Sequence, residues 1–319
     1  MPFGFELFRR SERLRALAAS ALVLALAGCG ATDSLSPGSG SPATADQGQP
    51  DGSTTLAEAP SVASASFSGG IPFGTWEQPT GTLGATYNGS MQIISPSLLL
   101  RQLAEIKSRG GKVAVKLSLG DRHVKDSDGN FSLSKWKATV DQFKNINFRS
   151  YIDDGTIIGH YLMDEPNDPR NWNGRPVSPA TLEEMARHSK QIWPTMLTLV
   201  RTHPDYLDGN HRYLDAAWAQ YLHRRGNVNE YIRENVAEAQ KRGLALVVGL
   251  NILKGGPNGT RMSAQEVESW GSALLSSSYP CAFLMWKYSS DYLGTSAMKS
   301  AMASLRRKAE NRGTKSCRA

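Results

Sequence analysis

The sequence predicts an α/β fold, a single TIM-barrel-like (β/α)8 domain behind a disordered tether. Three observations predict it. Short apolar runs alternate with amphipathic segments from Ile71 onward, the rhythm of a parallel sheet with right-handed helical crossovers. Residues 156–166 read Thr-Ile-Ile-Gly-His-Tyr-Leu-Met-Asp-Glu-Pro, a buried strand that ends in two carboxylates and a proline unable to extend a ladder. No Gly-x-Gly-x-x-Gly or phosphate loop follows any apolar run, which leaves a nucleotide-binding doubly wound sheet without support.

The strands and helices follow in order. Residues 71–77, Ile-Pro-Phe-Gly-Thr-Trp-Glu, are a first strand; a Gly/Thr/Asn-rich loop leads to a short one over 91–94. Ser95-Pro96 opens an amphipathic helix over 98–109 that Gly110-Gly111 closes. Residues 112–119 are a strand, and the spacing of Trp136, Val140 and Phe143 predicts one helix over 133–148. With all eight strands present, 156–166 is the fourth. A polar loop over 167–179 follows, where Trp172 is the tryptophan expected to be exposed. A helix over 181–193 stops at Pro194, and a strand over 195–200 runs into Arg201-Thr-His-Pro-Asp205. Residues 214–222 suit either a strand or a helix. A helix over 229–242, a strand over 244–253, a helix over 262–275 with Ser263 as its cap, a last strand over 282–288 and a basic helix over 295–312 complete the domain.

Length and composition agree with this plan. The chain has 319 residues, 40% hydrophobic and 20% charged, enough for one large α/β domain or two small ones. Part of the formal charge of +7 sits in the first 28 residues, where Arg9, Arg10, Arg13 and Arg15 outnumber Glu6 and Glu12. The rest contains no dense Lys/Arg run interleaved with aromatics, so it reads as a solvated surface that favours acidic polymers and not as a nucleic-acid footprint.

The first segment has an arginine-bearing start, an apolar run over 14–27 too short for a membrane span, and small residues before Cys29. Leu26-Ala27-Gly28-Cys29 resembles the lipobox of bacterial lipoprotein signals at every position. The resemblance implies cleavage before Cys29, acylation of its thiol with a palmitate-type chain, and an exported protein held at a membrane in the cell envelope. Gly30 stands where inner-membrane retention signals carry an aspartate, which points to the outer membrane if the host has one. A plain secretory signal is the alternative. Residues 1–28 are then the signal peptide and 67–319 the barrel. Between them, 29–66 are rich in Ser, Gly, Ala, Thr and Pro, a composition that buries too little to fold.

Once Cys29 is acylated, Cys281 and Cys317 remain as an even pair in an exported domain. A disulfide between the C-terminal helix and the start of the last strand is the expectation, with two free thiols as the alternative. The six histidines show no His-x-His or His-Glu-x-x-His spacing, so no metal and no other cofactor is expected. The barrel is expected to be a monomer.

The run Gly-His-Tyr-Leu-Met-Asp-Glu-Pro over 159–166 resembles the acid/base strand of barrel glycoside hydrolases. That resemblance implies that Glu165 protonates the leaving glycosidic oxygen and that Asp164 tunes it or binds a hydroxyl. In the large retaining superfamily a second glutamate closes the seventh strand; the corresponding end here offers only Asn251. Glu77, Asp121, Asp205 and Asp291, all near strand ends, are the other candidates, and Glu77 or Asp291 beside the mouth would suit an inverting scheme. Sugar sites also need flat apolar platforms ringed by polar groups. Trp76, Trp218, Trp286 and Tyr288, with Lys116, His203, Gln220, Asn251 and Lys287, fall on or near strand ends, and Trp286 resembles the last-strand tryptophan on which many barrel glycosidases stack a ring. The expected partner is a polysaccharide or glycan. The alternative is a non-catalytic carbohydrate- or envelope-binding lipoprotein on the same scaffold, distinguished by the lack of a working carboxylate pair.

Overall fold

Eight apolar runs become eight strands that pair in sequence order and close into one barrel. A computed structural model describes residues 70–209, 211–313 and 317. The strands are β1 (Phe73–Trp76), β2 (Gly89–Ile93), β3 (Lys112–Lys116), β4 (Ile157–Asp164), β5 (Thr198–Arg201), β6 (Ala216–Tyr221), β7 (Ala245–Leu250) and β8 (Ala282–Met285). All pairs are parallel, and β1 meets β8 through Phe73–Phe283, Gly74–Leu284 and Thr75–Met285. The signal segment, Cys29, the tether and the expected domain start at 67 lie outside the described residues.

The helices are α1 (Leu99–Ser108), α2 (Leu133–Val140), α3 (Arg149–Asp153), α4 (Pro179–Ile192), α5 (Val228–Lys241), α6 (Ala264–Ser276), α7 (Ser290–Leu293) and α8 (Ser296–Glu310). Their starts are written locally. The side chains of Ser132, Ser178, Asn227 and Thr295 accept first-turn N–H groups of α2, α4, α5 and α8. Ser263 and Glu266 form a reciprocal capping box on α6, and each such cap contributes about 1 kcal/mol.

One reading of the sequence changes and one open reading is settled. The single helix expected over 133–148 is broken: α2 ends at Val140, a 3-10 turn takes Asp141–Phe143, and α3 begins only at Arg149. The turn still buries Phe143, so the apolar spacing is satisfied without a continuous helix. Asn147 accepts the N–H of Arg149 through its side chain at 3.4 Å, the local competition that makes asparagine a poor helix-interior residue. The ambiguous stretch 214–222 is a strand, β6, with all six residues buried. Full burial suits a barrel strand covered on both faces.

Two clusters make the core. The larger draws on strands and helices alike, such as Leu103 and Ile106 of α1 with Val113 and Val115 of β3. The smaller, with Trp76, Met91, Ala114, Tyr161, Leu199, Trp218, Val247 and Leu284, takes no helix residue and therefore fills the barrel interior. Gly74 and Gly89 let β1 and β2 approach closely, since a Cβ on Gly74 would sit 1.6 Å from the Gly89 carbonyl oxygen. The expected disulfide is present: Cys281 bonds Cys317 with S–S at 2.06 Å. It ties the chain after α8 to the residue before β8, at the end of the barrel away from the strands' carboxyl termini.

Candidate active site

The carboxyl ends of the strands make one rim, where ligands of parallel barrels bind. β4 is the longest strand, with eight residues, and its pairing with β5 continues to the rim, where the N–H of Glu165 donates to the Arg201 carbonyl at 3.0 Å. Glu165 itself has φ of 39°, a left-handed conformation that a non-glycine residue adopts at a cost of about 1–3 kcal/mol and that clusters at functional sites. Two donors hold the turn. The Asp168 N–H and the Trp172 indole N–H both reach the Glu165 carbonyl, at 3.1 and 3.0 Å.

Trp172 is therefore not the exposed aromatic that its polar loop suggests. It is fully buried, edge-on to Phe131 at 5.7 Å, with the Lys125 ammonium 5.1 Å from its ring. The loop folds back under Glu165 because the indole finds both an apolar pocket and a carbonyl to satisfy its N–H.

Arg201, at the end of β5, organises the next layer. Its Nε donates to Asp164 Oδ1, its Nη1 to Gln220 Oε1 at 2.9 Å, and its Nη2 lies 3.3 Å from Glu165 Oε1. The Tyr161 hydroxyl donates to the same Asp164 oxygen at 2.8 Å. Asp164 is thus spent on holding Arg201 and Tyr161. Glu165 keeps 44% of its side-chain surface exposed, against 16% for Asp164 and 8% for Arg201. Burial opposes the Arg201 charge, but Asp164, with Tyr161 and Glu165, outweighs it and raises the guanidinium above its ordinary value. Burial, and then the Asp164 charge, push the Tyr161 hydroxyl well above its usual range. At neutral pH the layer holds a fixed cation and a neutral phenol.

Beneath it lies an aromatic floor. Trp76 meets Tyr161 edge-on at 5.2 Å, stacks on Trp218 at 6.2 Å and touches Trp286 at 4.5 Å. Trp76 and Trp218 are buried, and the Trp218 indole donates to the Leu284 carbonyl at 3.1 Å. Trp286 is partly exposed, with the Arg201 guanidinium 5.3 Å from its ring. It is the tryptophan of the floor open to a ligand. Lys116 is buried between Trp76 and Tyr161 and pairs with Asp121 at 2.8 Å.

The β1/β8 side carries the other carboxylate of interest. Glu77 follows β1 at φ of 52° and accepts from Lys287 Nζ at 3.0 Å, while that ammonium also lies 5.9 Å from the Trp286 ring. Glu77 and Glu165 thus border the same tryptophan through Lys287 and Arg201. Tyr288 is partly buried beside them, its N–H on the Trp76 carbonyl at 2.9 Å. Asn251 uses its side-chain oxygen on the Lys254 N–H at 3.0 Å. Asp291 is exposed at the start of α7. His203 and Asp205 border a separate cavity of about 550 Å³ with Tyr231 and Asn235, though His203 also reaches the wall beside Glu165. Burial, and then the Arg225 charge, push His203 down to about 4, so it is neutral at pH 7.

Solved structures that resemble this barrel include glycoside hydrolases. A double mutant of the Cellulomonas fimi endo-β-1,4-mannanase is similar over 77% of this chain and 74% of its own, with a TM-score of 0.53 and 13% identity. The modular endo-β-1,4-mannanase of the same organism, of glycoside hydrolase family 26, gives 0.51 over the same shares at 13% identity. An exo-β-1,4-mannosidase from Opitutaceae bacterium strain TAV5 gives 0.50 at 14% identity over 73% of this chain and 55% of its own. At these identities the likeness is one of fold; no family model matches the chain and no curated protein matches it.

Sequence reasoning missed Arg201 and Tyr161 as parts of the site. Arg201 had a readable sign, since a charge closing an apolar strand that neighbours Asp164-Glu165 has to be paired. Tyr161 had none beyond its place in an apolar run, because its value lies in where the hydroxyl ends up.

Proposed function

We propose that the protein is a glycoside hydrolase that cleaves glycosidic bonds of a polysaccharide or glycan, exported and held at the cell envelope by a lipid on Cys29, with Glu165 as general acid. The setting of Glu165 carries this reading: it is the half-exposed carboxylate that follows β4 at positive φ, paired with Arg201, whose guanidinium lies against the Trp286 ring. Asp164 acts through Arg201 and Tyr161, positioning Glu165. Glu77, half-exposed and tied to Lys287 alone, is the best-placed carboxylate to activate water. With Asn251 at the end of β7, this assignment implies inversion, in which water attacks between carboxyl groups about 6.5–9.5 Å apart. The mannan-cleaving names of similar structures support a glycan partner.

Arg201 also favours a second reading. It pairs with the charged form of Glu165, whereas a general acid has to carry a proton, so a glycan-binding protein that does not turn over its ligand is the alternative. Hydrolysis of a panel of aryl glycosides and polysaccharides by the full chain, with Glu165→Gln alongside, separates them. Turnover lost in the variant supports the hydrolase, and the anomer formed reports inversion. Equal glycan binding by both proteins with no turnover supports the binding protein.

A further inference from the structure

The cavity beside Glu165 has a charge that the chemistry above does not use. It measures about 40 Å³, and its walls include Glu165, Arg201, His203, Gln220, Arg224 and Arg225. Three guanidinium groups and one carboxylate line it, and Arg225 also lines the neighbouring cavity that holds Asp205, Glu234 and Glu238. Arg201 has already committed its donors to Asp164, Glu165 and Gln220. Arg224 and Arg225 stand in the short turn His223–Arg225 after β6, exposed, and among the described residues their side chains make no hydrogen bond or ion pair. Asp168, the carboxylate whose charge Arg224 feels, is held by Arg170 at 2.6 Å. His203 adds no charge at neutral pH.

A second observation concerns a residue of the same wall. Gln220 is 4% exposed, and its Oε1 accepts from Arg201 Nη1. A guanidinium has only donors, so the amide cannot be turned the other way, and Nε2 is left buried without an acceptor. Buried donors in that condition are rare and call for a missing partner.

We infer that this cavity binds an anionic substituent on the glycan, a carboxylate or a sulfate, with Gln220 Nε2 and the guanidinium groups of Arg224 and Arg225 as its donors. Size agrees. One water needs roughly 10–15 Å³ of such volume, so the cavity of about 40 Å³ admits a group of roughly three or four heavy atoms beyond the ring, a carboxylate or a sulfate, and excludes the ring itself. Charged acceptors make the stronger hydrogen bonds to guanidinium and amide donors. The inference rests on the glycan reading of the mouth and adds the substrate class, an acidic sugar.

Calorimetric titration of the full chain in detergent with trigalacturonate, a sulfated galactotriose and neutral galactotriose tests it. At least one anionic trimer binds about tenfold tighter than the neutral one, and the gap narrows in high salt. The exposed pair Arg224→Gln/Arg225→Gln removes the preference, and which trimer wins in the wild type tells carboxylate from sulfate. Equal affinity for all three, or a preference unchanged in the double variant, overturns the inference. A chain that cleaves neutral glycans and shows no anion preference sinks this inference alone. An anion preference without turnover on any substrate sinks the hydrolase reading alone.

Discussion

The two sides of the barrel mouth hold their carboxylates in different ways. On the β4/β5 side, Arg201 is 8% exposed and bonds Asp164, Glu165 and Gln220 at once, while Trp172 pins the Glu165 backbone from below. On the β1/β8 side, Glu77 has one side-chain partner among the described residues, Lys287, and the two are 47% and 39% exposed. A buried network that loses a member strands the others without water, whereas an exposed pair that breaks is rehydrated. Glu165 is thus fixed in place, and Glu77 is free to exchange its lysine for a water or a hydroxyl. The proposed division of labour, a positioned acid and an adjustable base, follows from that difference.

Four substitutions or conditions break or sharpen the contrast. Arg201→Met leaves the partly buried Asp164 with Tyr161 as its remaining side-chain partner among the described residues and should cost about 3 kcal/mol in urea unfolding; a loss under 1 kcal/mol would mean the β4/β5 side is no more tightly held than the other. Acid should act on the β4 side next. His160, fully buried in β4 behind the site, is pushed down to about 3 by burial and then by the His188 charge. Its folded value lies below the ordinary 6.5, so the unfolded chain binds the extra proton and stability falls as pH drops from 6.5 towards 3. His160→Gln should make the upper part of that profile, from pH about 6.5 to 4.5, less steep before carboxylates titrate, the remainder there coming from His203, which is also pushed down. Trp172→Phe keeps the apolar contact and deletes the N–H to Glu165, for a loss of about 1–2 kcal/mol with turnover reduced further than stability alone explains. Lys287→Met should change stability by less than about 1 kcal/mol, and a larger loss would show that Glu77 is fixed as firmly as Glu165.

Most of the scaffold was legible because it depends on local pattern. Residues 156–166 announce a buried strand by composition and its end by Pro166, and Ser263 stands as the cap where α6 begins. The pairing of Cys281 with Cys317 was the expectation for the two cysteines left in an exported domain once Cys29 is set aside, with two free thiols as the alternative, and the bond is present. The break in 133–148 was not legible, because Trp136, Val140 and Phe143 keep helical spacing across a 3-10 turn. Trp172 was misread for a related reason: the polarity of its neighbours says nothing about a carbonyl seven residues earlier that its indole can reach. The site's aromatic floor follows from barrel closure, which brings Trp76, Trp218 and Trp286 from β1, β6 and the end of β8 into contact. The strand ends could be read one by one, but the ion pairs that distinguish Glu165 from Glu77 connect different strands.

The most direct test of Glu165 as acid is to compare two leaving groups on the same sugar. A dinitrophenyl glycoside departs without a proton, and an alkyl or sugar leaving group needs one. Loss of turnover in Glu165→Gln by about a hundredfold or more on the poor leaving group, with activity on the dinitrophenyl substrate largely kept, is the predicted result. An equal loss on both, or no turnover of either by the parent protein, would contradict it.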